Sequence, residues 1–295
     1  MNVQKFGLTE RAVNEIIEEI KGVLQKSGLY FRIFGRVKSG PSIEEKIKRK
    51  GYRIDGKHMQ DIIGVRITLY FSDDVLLCQK IIEQSYDVVD ISKTTAEPEK
   101  FCPERLNLVC SMRDKISDQF DNSIWKEYPI DKTFEVQIRT VFSEGWHEVE
   151  HDIRYKSIAD WSEYPELSRN LNGVFATLET CDWAMLSIIN NLAYQQYKKK
   201  QWAQMIKTKM RIHLQDDKLS GSIVELLNEN QEIAKQFFRA DRSSVLLFMA
   251  CDLKKSVPLT LDNIVYIINA CAVKNTTVAN LAPSIIQARL PRICD

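Results

Sequence analysis

The sequence predicts a mixed α/β domain followed by an all-helical region. Three observations lead there. Up to about residue 160, short β-rich apolar runs alternate with stretches of helical period. After Ser157 the composition shifts, and the remaining apolar patterns have a helical period. The 295 residues also exceed the usual size of one domain. The expected division is residues 1–160 and residues 161–295.

The elements follow in order. Residues 9–29 form an amphipathic helix opened by Thr9 or Glu10. Its stripe is Val13, Ile16, Ile17, Ile20, Val23 and Leu24, and Gly28 ends it. Residues 30–37 read as a strand. Gly40-Pro41 makes a turn, and residues 42–50 form a basic helix that Ser42 caps, with Glu45 completing a capping box. Residues 51–58 are a polar loop and 62–71 a buried strand. Ser72-Asp73-Asp74 caps a helix over 75–84. Residues 86–91 and 106–112 are strands, and 113–132 a polar surface insertion. A strand over 133–140 leads into a helix over 141–156, with Trp146, Val149 and Ile153 toward the core. Residues 166–200 read as one long helix, with Gly173 as a candidate break. Further helices are expected over 202–214, 222–238, 243–253, 261–273 and 278–290, with Asp262 and Asn275 as caps. This region carries no repeat period, no low-complexity tract and no catalytic constellation. Its plain role is packing; the functional alternative is a homo-oligomer or a regulatory protein partner.

Composition narrows the function classes. The net charge is +1, so no global field draws the chain to nucleic acid or membrane. No apolar run approaches the roughly 20 residues that span a bilayer. The N-terminus lacks the apolar core of a signal peptide. Seven scattered cysteines without a C-x-x-C pair read as reduced thiols of a cytoplasmic protein.

Two stretches carry the chemistry: FGRVKSGPSIEEKIKRKG with DIIGVRITLY, and FEVQIRTVFSEGWHEVEHDIRYK. Arg36 and Lys38 alternate as on one strand face. Ser42, Lys46 and Arg49 follow at helical spacing. These groups would converge on a polyphosphate, which Arg forks and a Lys point charge match. A solvated basic helix is the competing reading. Asp61 heads one strand and Glu135 opens another. One or two carboxylates plus substrate phosphates are the usual setting for Mg²⁺; two ordinary strand-end acids are the alternative. His58 reads as a loop histidine. His147 and His151 fit H-E-x-x-H, yet the other histidines, His58 and His213, lack a zinc context.

The pattern resembles the synthetase domain of the RelA/SpoT family, the alarmone synthetases. Arg36, Lys38, Ser42, Lys46 and Arg49 match R-x-K-x-x-x-S-x-x-x-K-x-x-R. Asp61, Gly64 and Arg66 match D-x-x-G-x-R. Residues 135–140 match E-V-Q-I-R-T, and residues 146–156 match W-x-E-x-E-H-D-x-x-Y-K with His147 where the pattern is loose. The resemblance covers roughly residues 25–160. It implies a nucleotidyltransferase-like fold and transfer of the β,γ-pyrophosphate of ATP to the 3′-hydroxyl of GDP or GTP. It implies Asp61 and Glu135 as catalytic Mg²⁺ ligands, with Glu135 helping to deprotonate the acceptor hydroxyl. Arg36, Lys38, Ser42, Lys46 and Arg49 would hold the ATP phosphates, and Arg36 and Arg66 would sandwich adenine. Gln137, Arg139, Glu150 and Asn107 are acceptor-side candidates.

The family's N-G-Y-x-S-x-H, whose tyrosine stacks on the acceptor guanine, is replaced by FCPERLNLV. Pro103 falls at the tyrosine position and Asn107 at the histidine position. Phe101 and Tyr86 are the candidate substitutes for the ring. Two further functions therefore stand beside alarmone synthesis. One is a toxic relative that modifies another 3′-hydroxyl, such as the CCA end of tRNA or an adenine nucleotide. The other is a catalytically degenerate module that binds a nucleotide or a partner.

Overall fold

The computed structural model describes residues 10–94, 106–253 and 256–291. Thr9, Phe101 and Pro103 lie outside the described residues. The chain divides into two compact units. The first comprises Met1–Gly22, Phe31–Tyr70 and Ile82–Glu179; the second comprises Val23–Tyr30, Phe71–Ile81 and Thr180–Asp295.

The first unit holds a mixed sheet. Its strands are β1 (Phe31–Val37), β2 (Ile63–Leu69), β3 (Val88–Lys93), β4 (Leu106–Ser111) and β5 (Thr133–Thr140), in the order β1-β2-β5-β4-β3. β2 and β5 are parallel, and the other pairs antiparallel. Period-2 alternation divides the sheet chemically. Ile63, Val65, Ile67 and Leu69 of β2 are buried. They lie in register with Phe134, Val136, Ile138 and Thr140 of β5, and Leu106, Leu108 and Cys110 of β4 complete that apolar face. Burying each such side chain contributes about 1.5–3 kcal/mol.

Helix α1 (Glu10–Ser27) packs on the same face. Its Ala12, Val13, Ile16 and Ile20 are buried, at helical spacing. A Cβ on Gly35 of β1 would lie 2.8 Å from Val13 Cγ1 and 3.2 Å from Ile17 Cδ1, so only glycine allows this approach. The expected stop at Gly28 is present, with φ +72°. The other sheet face carries the alternate, polar residues.

Helix α2 (Gly40–Lys50) starts earlier than the pattern suggests. Ser39 is the cap, its hydroxyl accepting the Ser42 N–H, and Gly40-Pro41 forms the first turn. The expected Ser42–Glu45 capping box is therefore wrong. Proline's fixed φ and missing N–H suit a first helical position as well as a turn. Helix α3 is Asp74–Ser85. The polar stretch after β4 holds two short helices, α4 (Asp114–Ser117) and α5 (Asn122–Glu127). Ile116, Phe120, Ile124 and Ile130 anchor it by burial, so it is more than a surface insertion.

Helix α6 (Val141–Val149) opens into a π-helical turn over Glu150–Arg154 and a 3₁₀ turn over Tyr155–Ser157. Trp146 is buried against Phe175, but Val149 and Ile153 are exposed, against expectation. A wider turn breaks the 3.6-residue period on which that stripe was drawn. After α7 (Ile158–Trp161), α8 (Pro165–Lys198) runs unbroken through Gly173. One glycine costs only about 1 kcal/mol in a helix interior.

The second unit is helical in its C-terminal part. It holds α9 (Trp202–Met210), α10 (Gly221–Glu229), α11 (Gln231–Arg239), α12 (Arg242–Leu247), α13 (Leu261–Ile268), α14 (Thr276–Leu281) and α15 (Ser284–Gln287). Residues 222–238, expected as one helix, are split at Asn230, whose side chain accepts the Ile233 N–H and caps α11. Pro283 splits the last expected helix, because it lacks the N–H that would continue the ladder. Asn275 caps α14 as expected. Thr260, not Asp262, caps α13; the Asp262 carboxylate instead accepts the Ser220 N–H at 2.8 Å.

Beneath these helices lies a buried ionic cluster. Arg242 binds Asp74 through both guanidinium ends, while its Nε donates to the Met210 carbonyl at 2.7 Å. Arg211 pairs with Asp73. Burial pushes the Asp74 carboxyl up, and the adjacent Arg242 charge opposes that shift only in part.

Candidate active site

The polar face of the sheet is built from two cross-strand rows. Arg36 of β1 is opposite Gly64 of β2, which is opposite Glu135 of β5, which is opposite Val109 of β4. The next row runs Phe34, Arg66, Gln137, Asn107. Residues paired across a sheet share a face. The fold thus aligns side chains from four strands that are far apart in sequence.

One chain of hydrogen bonds crosses this face. Arg139 donates to Asn107 Oδ1 at 2.8 Å, and Asn107 Nδ2 donates to Glu135 Oε1 at 3.0 Å. Gln137 Nε2 donates to Glu135 Oε2 at 2.6 Å, and Arg66 Nε donates to Gln137 Oε1 at 3.2 Å. Arg66 is also clasped by Glu144 and Glu148 of α6, and lies over the Phe34 ring at 5.3 Å. Burial lowers the Arg66 pKa, but the hydrogen bonds it donates to Glu144 and Glu148, with their negative charges, outweigh that and the net shift is upward. Arg139 is buried and also donates to the Leu106 and Ile138 carbonyls, so it orients Asn107 from below. Glu135 is held at both oxygens, yet each carboxylate oxygen has a second lone pair to offer.

The second cluster lies at the β1–α2 and pre-β2 segments. Lys38 Nζ donates to the Asp61 carbonyl at 2.9 Å and lies 2.9 Å from Asp61 Oδ2. Lys46 Nζ reaches the same Oδ2 at 2.5 Å. Burial raises the Asp61 pKa, but the Lys38 charge and the hydrogen bonds from Lys46 and Lys38 dominate, and the carboxyl is held below its ordinary range. It is therefore ionised at neutral pH. Its Oδ1 is buried with no hydrogen-bond partner among the described residues.

Several expectations can now be located. The structure brings Lys38 and Lys46 together on Asp61. Arg36 is exposed on the row of Gly64 and Glu135. Ser42 shares a 2.8 Å hydrogen bond with Ser39, and Arg49 is exposed in the last turn of α2. Glu150 pairs with Arg154 at 3.5 Å on the π-helical turn. Tyr86 is not a substitute acceptor ring: it packs edge-on against Phe134, on the apolar face, and its hydroxyl donates to Glu19. Sequence reading missed Phe34, Glu144 and Glu148. The i, i+4 spacing of the two acids on α6 was the available signal.

Two observations fit a hard divalent cation. The orphaned buried Asp61 Oδ1 is an oxygen donor without a proton to accept. A Cβ on Gly64 would meet nothing within 4 Å, so open space adjoins Glu135. No group of three or more His, Cys, Asp or Glu suited to a metal occurs among the described residues. A metal here would thus take two acids and complete its shell with substrate oxygens and water. Filling the space is a direct test: Gly64→Leu is expected to lower activity roughly a hundredfold by occluding ligand, while leaving the melting temperature within a few degrees. Near-normal kcat/KM in that variant would show that the row is not where substrate lies.

His58 holds the loop before Asp61. Its Nδ1 faces Asp131 Oδ1 at 2.8 Å and its Nε2 faces the Ile54 carbonyl at 3.0 Å. Both neighbours are acceptors, so the doubly protonated ring satisfies both. The Ile54 carbonyl and Asp131 raise the pKa above its ordinary value. A raised pKa stabilises the fold fully below about pH 6.5 and loses that contribution as pH rises through the folded value. The melting-temperature gap between wild type and His58→Gln is therefore expected to be largest near pH 6 and to shrink toward about pH 9. A gap that is constant or grows with pH would refute the charged pairing.

Comparison with known proteins adds independent findings. A family model described as the region found in RelA/SpoT proteins matches residues 35–160. The GTP pyrophosphokinase YwaC of Bacillus subtilis is 32% identical over 127 residues, 41% of this chain and 56% of YwaC. The GTP pyrophosphokinase YjbM of the same organism is 28% identical over 163 residues, 50% of this chain and 69% of YjbM. The crystal structure of small alarmone synthetase 1 from Bacillus subtilis is 24% identical, with a TM-score of 0.49 over 62% of this chain and 92% of that one. A GTP pyrophosphokinase family protein from Streptococcus pneumoniae is 22% identical, with a TM-score of 0.49 over 63% of this chain and 91% of its own. The stretch that carries both acids and, Phe34 apart, both polar rows is residues 35–160, the part of the chain that matches the RelA/SpoT model.

Proposed function

We propose that the chain is an ATP-dependent pyrophosphokinase that transfers the β,γ-pyrophosphate of ATP to the 3′-hydroxyl of a guanine nucleotide. The observation that carries this is the pairing of two clusters in one RelA/SpoT region: Asp61 ionised between Lys38 and Lys46, and Glu135 fixed by Asn107 and Gln137 beside the Gly64 gap. Residues 1–160 would be the synthetase domain and residues 161–295 a helical region that serves association or regulation. No described helix is long and apolar enough to cross a membrane; a cytoplasmic enzyme accords with the chemistry.

The protein's part is positioning and charge neutralisation. Lys38, Lys46, Arg36, Ser42 and Arg49 would bind the phosphates. With ATP present, the two lysines exchange part of their hold on Asp61 for phosphate oxygens. Asp61 and Glu135 would hold Mg²⁺, which when bound supplies charge neutralisation of the phosphates. Glu135 would accept the proton of the attacking hydroxyl. Arg36 and Arg66 would flank adenine, Arg66 being preset by Phe34 and the two glutamates. Gln137, Asn107 and Glu150 would face the acceptor, with Arg139 acting through Asn107.

One observation favours a different acceptor. Asn107 uses its amide N–H on Glu135 and its oxygen on Arg139. It is a neutral, locked group where the resemblance has a histidine. The second reading is therefore transfer to another 3′-hydroxyl, on tRNA or an adenine nucleotide.

The test is incubation with γ-labelled ATP, Mg²⁺ and GDP, GTP, ATP or tRNA. Label in a guanine nucleotide is the expected result. Label only in tRNA or an adenine nucleotide selects the second reading, and no label in any acceptor overturns both. Lys46→Ala should weaken ATP binding roughly tenfold, and more at low salt, where screening is weaker. Affinity indifferent to this change would return α2 to a solvated face.

A further inference from the structure

The chain as a whole is nearly neutral, but its charge is unevenly placed. Between Asp182 and Asp216 there is no acid, while Lys198, Lys199, Lys200, Lys207, Lys209 and Arg211 are all cationic. This stretch lies outside residues 35–160 and within the second unit. Two of its cations are neutralised: Lys207 pairs with Asp217, and Arg211 with Asp73. Lys198, Lys199, Lys200 and Lys209 have no ion pair among the described residues. Burial, and then the neighbouring Arg211 charge, hold the Lys209 ammonium below the ordinary lysine range. Rings lie among these lysines. Tyr197 of α8 stacks on Phe238 of α11, with centroids 5.0 Å apart, and Tyr194 lies 6.0 Å from the same ring. Lys198 Nζ is 5.7 Å from the Tyr194 centroid, and Lys209 Nζ is 5.6 Å from that of Phe238. Tyr194 is 44% exposed; Tyr197 and Phe238 are half-buried. Trp202 is buried, donates to Asn228 Oδ1 at 2.8 Å and adjoins Tyr197, which fixes the turn that carries the lysine triplet.

We propose that this surface of the second unit binds single-stranded nucleic acid, with a base on Tyr194 and the flanking phosphates on Lys198, Lys199, Lys200 and Lys209. This goes beyond the proposed reaction and does not rest on it. Two arguments select this ligand. Gathered like charges without counter-charge repel one another, so folding gains nothing from them, whereas a polyanion supplies what they lack. Cations interleaved with accessible ring faces match a strand whose backbone is anionic and whose bases are free to stack. An acidic peptide would use the lysines and leave the rings without a part. A duplex would offer phosphates but keep its base faces inside the stack.

Fluorescence polarisation of the full chain with labelled oligouridylate and oligodeoxythymidylate of about 12 nucleotides tests this. Wild type is expected to bind at least one of them with a Kd on the order of 1–10 μM at about 50 mM salt. Four phosphate contacts give a log–log salt slope of about −2.8, a loss of about 50-fold between about 50 and 200 mM salt. Replacing Lys198, Lys199 and Lys200 together by Gln should weaken binding at low salt and flatten the slope to about −0.7, because one phosphate contact remains. Tyr194→Ala should weaken binding about tenfold with the slope unchanged, and Tyr194→Phe should restore it. These four positions are exposed, so circular dichroism and melting temperature should match wild type. The RNA and DNA probes separate the two sources of such a strand, and preference for either supports the site. No binding of either probe by wild type overturns the proposal, as does an affinity that neither variant lowers. A duplex of equal length bound as tightly as the single strands overturns the stacking on Tyr194.

Discussion

Asp61→Asn and Glu135→Gln are each expected to lower pyrophosphate transfer by on the order of a hundredfold or more, as for loss of a group that stabilises transition-state charge. The two changes remove charge while keeping shape. Asp61 sits between two lysines that hold it ionised, and its second oxygen has no hydrogen-bond partner among the described residues. Asparagine keeps an oxygen for the lysines but offers an amide N–H where a cation would bind. Glutamine at 135 presents an N–H to Asn107 or Gln137, both of which donate to that carboxylate. Part of the loss can therefore come from a misaligned row. Melting curves separate the two effects, since a surface-lying site change should leave the transition within a few degrees. Substrate binding separates them further: ATP retained at normal affinity without Mg²⁺, with transfer abolished, is the result that fits two metal-binding acids. Either variant with near-normal turnover and an intact fold would remove the two-acid site.

Arg242→Met is expected to be the most destabilising single change in the second unit, by roughly 3–5 kcal/mol. The methionine side chain replaces the aliphatic stem but leaves Asp74 buried without its bidentate partner. Asp74 has no exposed surface, and Asp73 beside it adds a like charge. At about 2–4 °C per kcal/mol for a chain unit of this size, the melting temperature should fall by roughly 6–20 °C. Adding Asp74→Leu should recover a large share of the loss, because the cost is that of an uncompensated charge and not of the missing attraction. A double variant no more stable than Arg242→Met would show that the Met210 carbonyl contact, or packing, carries the effect instead.

Much of this protein was legible in its sequence. Short β-rich apolar runs located the five strands among the described residues, because a sheet that buries one or both faces selects such residues locally. The spacing of Ser42, Lys46 and Arg49 placed cations on one helix, and the motifs around Asp61 and Glu135 named the acids. These are short-range patterns, and local backbone geometry is enough to express them. What a strand neighbours is a long-range fact. The order β1-β2-β5-β4-β3 puts Gly64 between Arg36 and Glu135, and Asn107 opposite Gln137, from segments separated by a large part of the domain. Only that register shows that Arg66 is clasped by Glu144 and Glu148, and that Tyr86 faces away from the site. The π-helical turn after Val149 and the split at Asn230 likewise follow from packing and capping that no period encodes.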